Sequence, residues 1–215
     1  MAGKASRYIP ALSYHWLTPF YDFLFKWGMR EGFMKSRLIQ RANIQPGMRI
    51  LDLGCGTGTL AVMLKQQEPA ADITGVDGDR QVLEIARVKA EKAGVNIHLD
   101  LGFAYDLPYP SQTFDVVLSS FMVHHLSSED KVRAFREVRR VLKPDRRFHL
   151  LDFGRPVSFT SRVQTMILGG FEKADDNING RIPSMLEQAG FDDVSEVEYV
   201  KTFFGPAWFY EAWNG

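Results

Sequence analysis

The chain has almost no cysteine: Cys55 is the only one in 215 residues. That excludes an intrachain disulfide and a cysteine-built zinc site, and no metal is expected. It also fits a reducing compartment, so a cytoplasmic location is the expectation. A surplus of charge of either sign is lacking too. Twenty-six basic and 26 acidic residues cancel, so no global field draws in nucleic acid, and no nucleic-acid partner is expected. No apolar run approaches the roughly 20 residues needed to cross a bilayer. The opening MAGKASRYIP has no apolar core of a signal peptide. What remains is a chain that is 45% apolar, enough for one large domain with its own core.

Aromatics, by contrast, are plentiful at the front. Nine of the 27 fall in the first 33 residues, among them Tyr14, Trp16, Tyr21 and Trp27. Those from Phe20 to Trp27 crowd too closely for one helix face, which suits an added helical layer, a lid over a ligand or a surface touching lipid. Residues 1–44 are therefore expected as an N-terminal helical lid and 45–215 as the main domain. From Met48 the pattern becomes regular. Short apolar runs at 48–53, 72–76, 96–101, 114–119 and 148–153 alternate with helical periodicity at 59–67, 79–93 and 128–142. The expectation is an α/β fold, a doubly wound and mainly parallel sheet. Further helices are expected at 159–168 and 182–189, and terminal strands at 194–199 and 201–204.

The strongest chemical signal is LDLGCGTG, residues 51–58. A strand runs into a turn holding Gly54, Gly56 and Gly58, then a helix; glycine admits positive φ and lets a ligand approach bare backbone. A dinucleotide fingerprint would want glycine at 59, where Thr59 stands. Asp52 beside the loop would repel a phosphate and suits a cationic ammonium. Asp77, at the end of the second strand, is placed to accept both hydroxyls of a ribose. A ribose with an ammonium and no phosphate describes S-adenosyl-L-methionine.

LDLGCGTG, VDGD at 76–79, DLPYPSQTFDVVLSS at 106–120 and VLKPDRRFHLLDF at 141–153 together resemble the class I SAM-dependent methyltransferases. LLDFGRP at 150–156 is most similar to the branch with the ubiquinone/menaquinone-biosynthesis C-methyltransferases. The resemblance implies a Rossmann-like fold. It places Asp52 and Gly54 at the methionine end of the cofactor, leaves room at Gly56 and Gly58, and gives the ribose to Asp77. Gly78, Phe103 and Ala104 would border the adenine, and Ser119 the methionine amino group. Two positions depart from the pattern. Phe103 stands where an acid often accepts the adenine amine, with Asp106 as a nearby substitute, and Asp145–Arg146–Arg147 replaces a glycine pair in a turn away from the crevice.

Methyl transfer from a sulfonium needs alignment above all, and a base only where the acceptor loses a proton. His124 and His125, in the loop after the fourth strand, are the catalytic candidates, as bases or as pocket wall; His15, Tyr14 and Tyr21 compete. The expected function is methyl transfer to a small, apolar or aromatic acceptor. Alternatives are a lipid-directed methyltransferase, with peripheral membrane contact, and a non-catalytic SAM-binding or regulatory protein. The acceptor and the oligomeric state are not legible.

Overall fold

In a computed structural model of the chain, residues 31–168 and 174–215 are described. The aromatic segment up to residue 30, with Tyr14, His15 and Tyr21, lies outside them. Helix α1 (Glu31–Ala42) leads into strand β1 (Arg49–Leu53). Then follow α2 (Thr59–Gln67), β2 (Asp72–Asp77), α3 (Arg80–Lys92), β3 (His98–Leu101) and β4 (Val116–Ser120). A single 3₁₀ turn, Val123–His125, precedes α4 (Ser128–Val141) and β5 (Arg146–Phe153). The chain closes with α5 (Phe159–Leu168), α6 (Asp175–Ile178), α7 (Ile182–Gln188), β6 (Asp192–Thr202) and β7 (Gly205–Asn214).

The strands form one sheet in the order β3-β2-β1-β4-β5-β7-β6. β1 to β5 are parallel, and β7 inserts antiparallel between β5 and β6. This is the doubly wound, Rossmann-like arrangement that strand–helix alternation predicts. The winding reverses between β1 and β4, which opens a crevice at the carboxyl ends of those strands.

Side chains divide the core into two layers. Leu51, Leu53, Val117, Phe148 and Leu150 face α4 and α7, meeting Phe135, Val138, Ile182 and Leu186. Ile50, Ile73, Leu118 and Leu151 face the other way, toward α1 and α2, meeting Met34, Leu38, Leu60 and Leu64. Alternation along each strand produces this split, because successive side chains point to opposite faces. Each fully buried large apolar side chain contributes about 1.5–3 kcal/mol. α1 is tied down further by Arg41, whose guanidinium reaches Glu211 on β7 at 3.0 Å and Glu198 on β6 at 3.3 Å.

Helix starts follow local chemistry. The Asp79 carboxylate accepts the Gln81 N–H at 2.8 Å and caps α3, and Ser127 accepts the Asp130 N–H at 3.2 Å and caps α4. One expectation needs correcting. The last strand is not 201–204, which is split between the end of β6 and the turn after it, but Gly205–Asn214. Its stretch AWFYEAW is buried on both faces and so shows no alternation, and Gly205–Pro206 at its head reads as a breaker. The other notable departure, Asp145, sits at φ 58 with its N–H donated to the Asn214 carbonyl at 2.7 Å. Left-handed backbone explains why glycine suits that turn and why a short Asp is the tolerable replacement.

Candidate functional site

The glycine loop joins β1 to α2 across the crevice. Gly54, Gly56 and Gly58 all have left-handed backbone, at φ 68, 52 and 72. Their surroundings differ. A Cβ on Gly54 would lie 2.2 Å from Met122 Cγ, and one on Gly58 2.8 Å from Ala86 Cβ. A Cβ on Gly56 would meet nothing within 4 Å. Two glycines thus let protein pack closely, while the third borders open space where a ligand can approach backbone. The loop is held to β2 by the Gly54 and Cys55 N–H groups, which both donate to the Val76 carbonyl.

Asp77 ends β2 and braces the loop. Its Oδ2 accepts the Gly56 N–H and its Oδ1 the Asp79 N–H, each at 2.9 Å. Burial raises its pKa above the ordinary carboxylate value, against those two hydrogen bonds. Each oxygen keeps a second lone pair, so the group can also receive two hydroxyls. Gly78 follows it, and the Gly102 N–H donates to the Asp77 carbonyl, which brings the Phe103–Ala104 segment to the same edge. The Phe103 ring is 40% exposed and stacks on Tyr105, centroids 5.4 Å apart and nearly parallel. Such a pair offers a flat aromatic border. Asp106 returns beside Phe103 through a short bridge and faces solvent.

Asp52 is fully buried, and among the described residues neither carboxylate oxygen has a hydrogen-bond partner. Desolvation pushes its pKa to about 7, opposed by the Lys35 charge and the nearby Ala61 N–H at the start of α2. A buried acid whose oxygens make no close hydrogen bond, with the Lys35 charge and the Ala61 N–H in its neighbourhood, has room for a further cation. Cys55 beside it is also buried; burial and the two carboxylates push its thiol up, which keeps it protonated and unreactive.

Ser119, at the end of β4, is buried, with its hydroxyl donated to the Leu53 carbonyl at 2.9 Å. It ties the two central strands together where the crevice opens. Next comes Phe121 at φ 53, an unusual backbone for an aromatic residue, with its ring tilted against Phe153. The strained step swings Met122 over Gly54 and starts the 3₁₀ turn.

That turn separates the two histidines. His125 is exposed, whereas His124 is 4% exposed with its ring edge-on to Phe153. His124 Nδ1 lies 2.7 Å from Asp152 Oδ1, and its backbone N–H donates to Asp152 Oδ2 at 3.2 Å. Asp152 is fully buried at the end of β5. Deeper still, Lys131 of α4 and Asp176 of α6 form a buried ion pair at 3.1 Å. Asp176 also accepts from Ser128 at 2.7 Å and pairs with Arg181 at 3.0 Å. Asn177 donates to the Phe153 carbonyl at 3.0 Å.

The candidates named from sequence therefore gather on one edge: Asp52, the three glycines and Asp77 on β1 and β2, then Ser119 and His124 on β4 and its turn. The partner role of Asp152 and the proximity of Lys35 to Asp52 were not legible. Asp152 lies 28 residues from His124, and nothing local signals the pairing.

Comparison with known proteins agrees with this geometry. A family profile described as a methyltransferase domain matches residues 50–145. An uncharacterized methyltransferase of Synechocystis is 32% identical over 164 residues, covering 75% of this chain and 74% of its own length. A demethylmenaquinone methyltransferase of Lactobacillus johnsonii is 32% identical over 148 residues, 66% of this chain. That match spans only 59% of the Lactobacillus protein, and the match to its Deinococcus radiodurans counterpart also spans 59%. Among solved structures, the YcgJ protein of Bacillus subtilis is similar with a TM-score of 0.65 and 25% identity, over 79% of this chain and 72% of that one.

Proposed function

This chain belongs to the class I SAM-dependent methyltransferases, and from that premise we propose that it transfers a methyl group to a small, apolar or aromatic acceptor of the quinol type. The single observation that carries the cofactor assignment is Asp52, a buried carboxylate without a partner among the described residues. It fits the ammonium of the methionine end. Gly56 fits the same ligand by leaving its Cβ side open, and Asp77 by its spare lone pairs. The acceptor type draws on relatives named for demethylmenaquinone and ubiquinone/menaquinone methylation.

Bound there, S-adenosylmethionine supplies a methyl group already activated by its sulfonium charge. The chain's own task is alignment and shelter. Asp52 would hold the ammonium end of the cofactor and Asp77 its ribose, beside the turn after β4. Met122, Phe121 and Phe153 line that side with apolar surface and keep water away. Holding reactants in line in this way lowers the barrier by about 7–11 kcal/mol at best.

Calorimetric titration tests the assignment. S-adenosylmethionine and its demethylated product are expected to bind at one site, and absence of both heats removes the reading. A second reading, methylation of a lipid held at a membrane surface, is favoured by Phe159 and Phe203, 82% and 63% exposed. Phe203 sits in the β6–β7 turn, on the edge of the sheet where β5 ends. Among the described residues no helix is long and apolar enough to cross a membrane, so such contact would be peripheral. Flotation of the protein with anionic vesicles would favour it, and a soluble fraction unchanged by vesicles would remove it.

A further inference from the structure

We propose that Lys89 is a positioning residue for the donor: reaching from α3, it clamps the glycine loop around Gly58 and holds it at the spacing from Asp77 that the donor needs. This inference rests on the methyl-transfer reading and deepens it, adding to the site a side chain that acts on the loop and not on the ligand.

Three contacts meet at Gly58. The Lys89 ammonium donates to the hydroxyl of Thr57 at 2.9 Å and to that of Thr59 at 2.7 Å, the residues on either side of the glycine. An ammonium carries three donors and no acceptor, so it can hold both hydroxyls at once. Ala86, three residues before Lys89 and so on the same face of α3, packs against Gly58 itself. A Cβ on that glycine would lie 2.8 Å from the Ala86 Cβ. Ala86 is fully buried and Lys89 half-buried, and hydrogen bonds from a charged donor are the stronger kind.

Helix stability does not account for this arrangement. α2 begins at Thr59, with Gly58 at its N-cap position and no side chain capping it. A cation at that end meets the positive pole of the helix, where an acid or a hydroxyl cap would stabilise better. What the ammonium adds is reach: Lys89 lies 32 residues beyond Thr57 and 30 beyond Thr59. It ties the loop to another helix.

That helix is anchored at its other end to Asp77. Asp79 caps α3 through the Gln81 N–H, and the Asp79 N–H is held by Asp77 Oδ1 at 2.9 Å. The other oxygen of Asp77 takes the Gly56 N–H. One helix thus joins both segments that would hold the donor, at its start through Asp77 and near its end through Lys89. The loop needs such a tie. Three glycines within five residues leave its backbone more conformations than any other composition would. Gly56, whose Cβ side is open to a ligand, directly precedes Thr57.

The test is calorimetric titration of the full chain with S-adenosylhomocysteine, beside amide hydrogen exchange. Lys89→Met is expected to weaken binding about tenfold. Its denaturant midpoint should stay near that of the wild type, since the opposition to the α2 dipole disappears together with the two bonds. Lys89→Arg should recover part of the affinity, and Lys92→Met, exposed on the same helix, should change nothing. Thr57→Val with Thr59→Val removes the same bonds from the other side. It should weaken binding to a similar extent, and adding Lys89→Met to it should bring no further loss. Without ligand, the Gly56 and Gly58 amides of Lys89→Met should exchange about tenfold faster while those of β1 are unchanged. Affinity within about twofold of the wild type in a folded Lys89→Met overturns the proposal. So does a loss of affinity matched by a loss of protection throughout β1, which is the mark of a merely structural residue. Should Lys89→Met not fold, the threonine pair decides by the same outcomes. A wild type that does not bind S-adenosylhomocysteine removes the methyltransferase reading and the donor role of Lys89 with it, whatever the loop amides show.

Discussion

Along the carboxyl edge of the sheet, the glycine loop after β1 and the turn after β4 lie side by side but are built differently. The loop is one continuous stretch, shaped by three left-handed glycines and braced from β2 by Asp77. The turn is held from outside. Its His124 is fixed by Asp152, 28 residues on, and the ion pair behind it joins Lys131 to Asp176 across 45 residues. The loop leaves a charge unsatisfied for a ligand to meet, whereas the turn satisfies nearly all of its own. A donor common to a family can be awaited by an unpaired group. Side chains satisfied within the fold are instead held rigid and pre-oriented.

The contrast can be broken from the side of the turn first. Lys131→Met leaves Asp176 buried with one cation fewer, and a destabilisation of about 3 kcal/mol is expected. Denaturant unfolding measures it, and donor affinity in calorimetry should stay as in the wild type; a matching loss of affinity would show that the halves are not separate. On the loop side, Asp77→Ala removes the acceptor of two backbone N–H groups and, on the proposed function, of the ribose. Donor affinity should fall by about 100-fold, two lost charge-assisted hydrogen bonds at the lower end of their range.

Asp52→Asn separates binding from stability. Folding raises this carboxyl from 3.8 to about 7. The folded state is therefore penalised little below about pH 4, increasingly as pH rises, and fully above about pH 7. Donor-free Asp52→Asn should be more stable than the wild type by about 2 kcal/mol near pH 8, less than the full charge penalty because the amide is still buried. The gain should vanish near pH 4 while donor affinity drops at neutral pH. An equal gain at both pH values would refute the assignment.

Smaller effects sharpen the picture. Gly56→Ala should cost about 1 kcal/mol of stability, from φ 52 alone. Its affinity loss, about tenfold, should exceed what that strain explains, because the methyl enters the ligand's space. Asp145→Gly, far from the crevice, should stabilise by roughly 0.5–1 kcal/mol through relief of its φ of 58 and leave turnover untouched. Thermal unfolding beside an activity assay checks both.

Much of the molecule was legible before folding was considered. Strand–helix alternation implied the parallel sheet, because apolar runs of five or six residues between amphipathic helices have few other ways to be buried. The helices at Phe159–Leu168 and Arg80–Lys92 were readable from local pattern alone. β7 was not, since a strand buried on both faces loses its period-two signature. The two histidines were readable as a pair but not as different residues, because adjacency in sequence says nothing about which side chain turns inward.

The sequence by itself determined the glycine-loop half of the edge: the glycine spacing, Asp52 and Asp77 are all local or one strand apart, and backbone conformational limits act residue by residue. Only the tertiary structure decided the half around the turn after β4. It buried His124 while leaving His125 exposed, brought Asp152 to the ring, and set Lys131 against Asp176. Hydrogen bonds between distant strands and helices depend on how layers pack, and no run of neighbouring residues encodes that.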